Sequence, residues 1–169
     1  MIEQELAAKQ AIKELVFRYC RAIDRRDFEV LATLYAEDSL DEHGDLFSGS
    51  GEDFVKWVPS ILATMHATSH QVMNHLIALD PDNPDYAEGE VYIQAYHLMD
   101  GEGGERIHLI GGGRYLDKYT RRAGCWQFSH RKIVGDYELV LPVHKSGSLS
   151  LVDGQQRGQD PSMEFFRLI

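Results

Sequence analysis

RIHLIGGGRYLDKYTRRAGCWQFSHRKIV, residues 106–134, reads as two long extended runs joined by a tight turn. Tyr115, Tyr119, Trp126, Phe128, Ile133 and Val134 supply the β-branched and aromatic content that strands favour. Ala123-Gly124 between the runs is the hairpin signal. Gly111-Gly112-Gly113 interrupts the first run and predicts a bend or bulge. Upstream, EVYIQAYHLM (90–99) is another strongly β-prone run, closed by the turn DGEGGE (100–105). HQVMNHLIAL (70–79) precedes it across DPDNPDYAEG (80–89), a turn rich in Asp, Pro and Asn. The C-terminal two-thirds is therefore a meander of long antiparallel strands.

The N-terminal third has a different period. Ile12, Leu15, Val16, Tyr19 and Ile23 recur at three- and four-residue spacing, the apolar stripe of a helix. A second, short helix is predicted from about Asp27 to Ala36. A third, over EDFVKWVPSILATM (52–65), carries Phe54, Trp57, Val58 and Ile61 on one side, with Pro59 as a local irregularity. Between them EDSLDEHGDLFSGSG (37–51) is a short strand with turns. Helices followed by strands predict an α+β class, three helices packed on one curved antiparallel sheet. The main domain is assigned to residues 1–143. The tail from His144 is turn-rich and ends in SMEFFRLI; it is expected to pack on its own domain or on a neighbouring subunit.

The chain's 169 residues suit one domain with a sizeable core. Its 27 acidic against 17 basic residues leave a net charge of −10, which argues against nonspecific binding to nucleic acid or anionic membrane. Cys20 and Cys125 have no metal-ligand spacing and make no disulfide framework, so a reducing, cytoplasmic setting is expected. No apolar run reaches the length of a membrane span, and the charged first residues lack the apolar segment of a signal peptide.

The chemistry turns on RYCRAIDRRDF (18–28), where Asp24 falls on the inward side of the first helix beside Tyr19 and Ile23. A buried carboxylate must cap, pair or accept hydrogen bonds. Asp24 could cap the second helix, with Asp27 in its first turn; it could pair weakly with Arg21; or it could orient a catalytic histidine. Of the eight histidines, His70 opens the first long strand with Val72, Asn74 and Leu76 on its face, and His97 ends the next. Together, a carboxylate and an imidazole make a general base: the carboxylate fixes tautomer and orientation and stabilises the imidazolium. There is no HExxH, no G-x-S-x-G elbow and no Walker lysine after the triple glycine. No metal or cofactor is therefore called for.

Helix, RYCRAIDRRDF, Gly-rich strand, helix, TSHQVMNHLI and GGGRYLDKYTRRAGCWQFSHRKIV together resemble the SnoaL-like branch of the nuclear-transport-factor-2-like superfamily, over residues 5–140. The resemblance implies a cone, a strongly bent sheet wrapped on helices with a deep pocket at its open end. Lindane dehydrochlorinase, scytalone dehydratase and bile-acid 7α-dehydratase share that architecture. By resemblance, Asp24 and His70 match the Asp–His dyad of the lindane enzyme, and Tyr19 matches a catalytic tyrosine of the bile-acid enzyme. The latter's arginine falls near Gly135, which leaves Arg114 or Arg131 for that role. Tyr35, Trp57, Asn74 and His97 are assigned to the substrate-binding wall.

These readings imply a cofactor-independent lyase, acting by dehydration, dehydrohalogenation or formaldehyde release on a hydrophobic, ring-containing small molecule. The alternatives are an isomerase using the same base, and a non-catalytic pocket protein or small subunit of a ring-hydroxylating oxygenase. A homodimer or homotrimer is expected, with the apolar tail buried in it.

Overall fold

The computed structural model describes residues 2–143 and 160–166. In chain order they form α1 (Ile2–Arg25), α2 (Phe28–Thr33), β1 (Tyr35–Glu42), β2 (Ser48–Ser50), α3 (Gly51–Leu62), β3 (Met65–Leu79), β4 (Tyr86–Asp100), β5 (Arg106–Arg122), β6 (Cys125–Pro142) and the short α4 (Ser162–Phe165). The strands make one curved, unclosed sheet in the order β2-β1-β6-β5-β4-β3, with the three N-terminal helices on its inner face. The stripe expected on α1 is the one buried: Ile12, Leu15, Val16, Tyr19 and Ile23. They meet Phe54 and Val58 of α3 and Val91, Ile93, Tyr115, Tyr119 and Phe128 of the sheet in one core.

The meander is antiparallel from β3 to β6. Ala123 and Gly124 between β5 and β6 both have positive φ, 49° and 82°, as a two-residue hairpin turn matched to strand twist requires. The β5–β6 register shifts between Gly112 and Gly113. A Cβ on Gly112 would fall 2.0 Å from the Tyr137 ring, and one on Gly113 2.2 Å from the Val134 carbonyl oxygen. Glycine is thus required here by close approach across the bulge.

Two expectations are corrected. The sheet is mixed, because β1 runs parallel to β6. The reason is the route of the chain: β1 reaches β6 only after α3 and three long strands have intervened. The second helix is also shorter than predicted, and Tyr35, placed on it by apolar spacing, opens β1. In the tail, Asp160 is buried with Oδ2 3.6 Å from Arg25, while Phe165 and Phe166 are exposed in the single chain. The rest of the expected packing of the tail falls on residues outside those described.

Candidate active site

The end of α1 sets the position of the first carboxylate. Arg26 adopts φ 59°, and the amides of Arg26 and Asp27 bond back to the carbonyls of Ile23 and Ala22, a Schellman closure with arginine where glycine is usual. The guanidinium repays part of that strain by donating to the Ile23 carbonyl at 2.8 Å and to Thr68 Oγ1 of β3 at 2.9 Å. Asp27, and not Asp24, caps α2 by accepting the Val30 amide. Asp24 is left free to face β3.

There it accepts three hydrogen bonds from that strand. The His70 ring Nδ1 lies 2.7 Å from Oδ1, the His70 amide donates to Oδ2 at 2.9 Å, and the Thr68 hydroxyl donates to Oδ1 at 2.9 Å. Burial alone would raise the Asp24 carboxyl, but the His70 ring bond and charge, the His70 amide and Thr68 outweigh it and hold it below the usual range. An ionised carboxylate only accepts, so it selects the tautomer with the proton on Nδ1, in which Nε2 is the nitrogen that can act as a base. Asp24 and His70 are both about one-tenth exposed. The pair is therefore not sealed in the core, and its imidazole borders a cavity.

That cavity has a volume of about 620 Å³ and lies between α1, α3 and the inner face of β4–β6. Phe54, Trp57, Ile61, Ile93 and Tyr115 make apolar walls. His70 pairs across the sheet with Ala95, and Ala95 with Gly111, so the strands opposite the imidazole carry almost no side-chain volume. The space exists because of those small residues. Tyr19 also lines it; burial, only partly offset by the charge of Arg131, pushes its hydroxyl far up, so it remains a proton donor. His97 lines the cavity with its ring 5.7 Å from that of His70. Burial, then the charge of His70, pushes His97 down to about 4.

Of the residues expected here, Asp24, His70, Tyr19, Trp57 and His97 are thus brought to one place. Four are not. Tyr35 is buried in the core, donating from its hydroxyl to Asp41 Oδ2 at 2.5 Å. Asn74 lies on the outer, exposed face, because a bulge between Val72 and His75 inserts one residue and reverses the alternation. Inward positions run His70, Val72, then His75 and Ile77, so Leu76 is outward too. Arg114 is on the outer face, paired with Glu90 and, through two bonds, with Asp136. Arg131 points inward but is wholly buried behind Tyr19, bidentate to Asp117 and enclosed by the rings of Tyr19, Tyr115 and Phe128 at 4.0–4.1 Å. Neither arginine reaches the cavity. The structure adds one group that sequence reasoning left among unassigned histidines: His43, stacked on Phe54, lines the same cavity. Its signal was the alternation Ser39, Asp41, His43 along an extended segment.

Among the described residues no group of three or more His, Cys, Asp or Glu side chains is arranged to hold a metal, and no helix is long and apolar enough to cross a membrane.

The sequence profile of the SnoaL-like domain matches residues 4–132. Among solved structures, a provisionally named scytalone dehydratase from Novosphingobium aromaticivorans is 25% identical, with a TM-score of 0.74 over 90% of this chain and 100% of that one. A type 2 hexachlorocyclohexane dehydrochlorinase is 20% identical, with a TM-score of 0.77 over 89% of this chain and 100% of that one. A type 3 form from Novosphingobium barchaimii is likewise 20% identical, with a TM-score of 0.74, over 88% and 100%. At these identities the two dehydrochlorinases establish a shared fold.

Proposed function

This chain belongs to the SnoaL-like family of the nuclear-transport-factor-2-like superfamily, and from that premise we propose that it is a cofactor-independent lyase for an uncharged, ring-containing small molecule. The observation that carries the proposal is the Asp24–His70 pair, with the His70 imidazole lining an apolar cavity. His70 takes a proton from the substrate. Asp24 holds the ring's tautomer and direction and stabilises the imidazolium that forms. Thr68 and Arg26 hold Asp24 in turn. Tyr19, kept protonated by burial, donates to an oxygen of the substrate. The electron pair released from the C–H bond expels the leaving group, as in dehydration or loss of halide.

The substrate class follows from the walls. Phe54, Trp57 and Tyr115 offer aromatic faces, and the lining residues include no lysine or arginine, whereas Asp136 and Glu138 are among them. That lining has no permanently charged cation to hold an anionic ligand. The outer sheet face exposes Leu40, Leu76, Tyr92 and Leu116, a surface suited to the expected homodimer or homotrimer; light scattering at micromolar concentration tests it, and a monomer overturns it.

The probe for the chemistry is 5-nitrobenzisoxazole, an uncharged bicyclic compound that opens to a coloured phenolate when a base removes its ring proton. The wild type should open it with saturation, and His70→Ala should return the rate to that of buffer. A wild type no faster than buffer, or a His70→Ala variant with near-normal turnover, overturns the reading.

A further inference from the structure

The cavity touches a second carboxylate–imidazole pair, on the β1–α3 side. Asp41 is wholly buried. Its Oδ2 accepts the Tyr35 hydroxyl, and its Oδ1 lies 2.7 Å from His43 Nε2. That contact is oblique to the ring N–H direction, so neither Asp41 Oδ1 nor His43 Nε2 makes a directed hydrogen bond, and both atoms are shielded from solvent. The ring is clamped by its face on Phe54, at 4.7 Å, and meets Trp57 edge-on at 6.2 Å. These two side chains are cavity walls, and His43 lines the cavity with them.

A carboxylate without exposure and with one unsatisfied oxygen is expensive. The other buried carboxylate of the inner face, Asp117, is met by a bidentate guanidinium and a tyrosine hydroxyl. Asp41 has a tyrosine and an imidazole that it meets off-axis. It is a poor structural ion pair and a suitable counter-charge for a ring that gains and loses a proton beside a ligand. Elimination needs two proton transfers, one from carbon and one to the leaving atom when that atom is a basic oxygen.

We propose that His43, backed by Asp41, is the second proton-transfer group of this cavity and protonates the leaving oxygen while His70 takes the proton from carbon. The inference rests on the lyase reading. In the step, the proton on carbon passes to His70 Nε2 and the C–H pair becomes the new π bond. The bond to the leaving oxygen breaks with its pair going to oxygen, and the proton on His43 Nδ1, the ring nitrogen not set against Asp41, moves to that oxygen. One proton enters the protein and one leaves; exchange with solvent resets both rings. No oxidant or metal is needed for the balance.

Two probes that differ in leaving-group basicity test it: 5-nitrobenzisoxazole, whose phenolate is weakly basic, and unsubstituted 1,2-benzisoxazole, whose phenolate is more basic. His43→Gln should lower kcat on the unsubstituted compound by about 100-fold and change kcat on the nitro compound by less than about threefold, with KM for both retained. His70→Ala should lower both. Equal losses on the two probes, or no loss on either, overturn the role of His43 while leaving His70 in place. Equilibrium binding of 4-nitrophenol judges His43 without turnover, so a wild type inactive on both probes sinks the lyase reading and still decides this one. If His43 meets a ligand oxygen, His43→Phe weakens binding about tenfold and His43→Gln does not. Equal affinity in the wild type and His43→Phe removes His43 from the site. Thermal melts of each variant confirm that folding is intact.

Discussion

Asp117 and Asp24 are both paired carboxylates set against the inner side of this sheet, and they have opposite surroundings. Asp117 receives two bonds from Arg131 and one from Tyr119, and the guanidinium is enclosed by three aromatic rings. Its acceptor sites are well supplied and nothing faces space. Asp24 receives a comparable set of donors, but one comes from an imidazole that borders a cavity. Tyr19 belongs to both regions, with one surface on Arg131 and another on the cavity. The lesson is that burying a charged residue on the inner face does not make a site. The candidate site lies where a well-anchored pair borders a cavity and the opposite strands supply almost no side chain to cover it.

Asp24→Asn breaks the comparison most sharply. The shape of the pair survives, the tautomer and charge do not, and turnover of 5-nitrobenzisoxazole should fall by about 10⁴-fold with a melting temperature near that of the wild type. A rate held near normal would make Asp24 equivalent to Asp117. The reciprocal change is Arg131→Met. Leaving Asp117 buried and unpaired should cost about 3–5 kcal/mol in urea unfolding, with turnover per folded molecule retained. Loss of rate without loss of stability would move Arg131 into the site.

Acid sharpens the difference further. Burial holds His75 and His97 down to about 4, while an unfolded histidine binds its proton near 6.5. Between those values the unfolded chain carries more protons, so stability rises with pH across the window and is lost as pH falls through it. Each ring should contribute on the order of 2 kcal/mol of that loss, and His75→Phe should flatten the urea-derived profile between about pH 6.5 and 4. A parallel profile in the variant would refute the assignment. The smallest effect is expected outside the cone: Asn74→Ala and Arg114→Ala should change stability by about 0.5 kcal/mol or less and leave turnover unchanged. A marked rate loss in either would return it to the pocket.

The sequence made the elements legible because their periods are strong. The α1 stripe and the long β-prone runs left little choice, and Asp24 standing on that stripe marked it as a residue needing a partner. Tyr19, Trp57 and His97 line the cavity because each lies on an element whose buried face is clear. What failed was direction. Arg131 was named only as a candidate for an arginine role, and its closure by Asp117 depends on pairing between β5 and β6, a register that no local pattern specifies. Arg114 occupies an outward position: Leu109, Gly111, Gly113 and Tyr115 line the cavity, and the alternation along β5 is unbroken. The extra residue of the shift lies on β6, so only the absolute phase of the strand, which the sequence does not mark, decides the face of Arg114. Tyr35 was misplaced because a six-residue helix is too short for its apolar spacing to fix an end. His43 went unassigned because its partner Asp41 and its stacking surface Phe54 come from different elements.

The bulge in β3 behaves like a change of reading frame within a single strand. Before it, the even-numbered residues His70 and Val72 face inward; after it, the odd-numbered His75, Ile77 and Leu79 do. One continuous strand therefore carries two messages, the first addressed to the ligand and the second to the packed interior. Removing one residue at Met73 or Asn74 would take out the bulge and leave both messages facing inward, because Val72 and His75 would then stand two apart, as their partners Ile93 and Val91 do. Because the two are separated by a backbone irregularity, chemistry near His70 can be varied without rewriting the core beyond it. An alignment drawn without a gap at that point will assign the wrong face to every residue on one side of it.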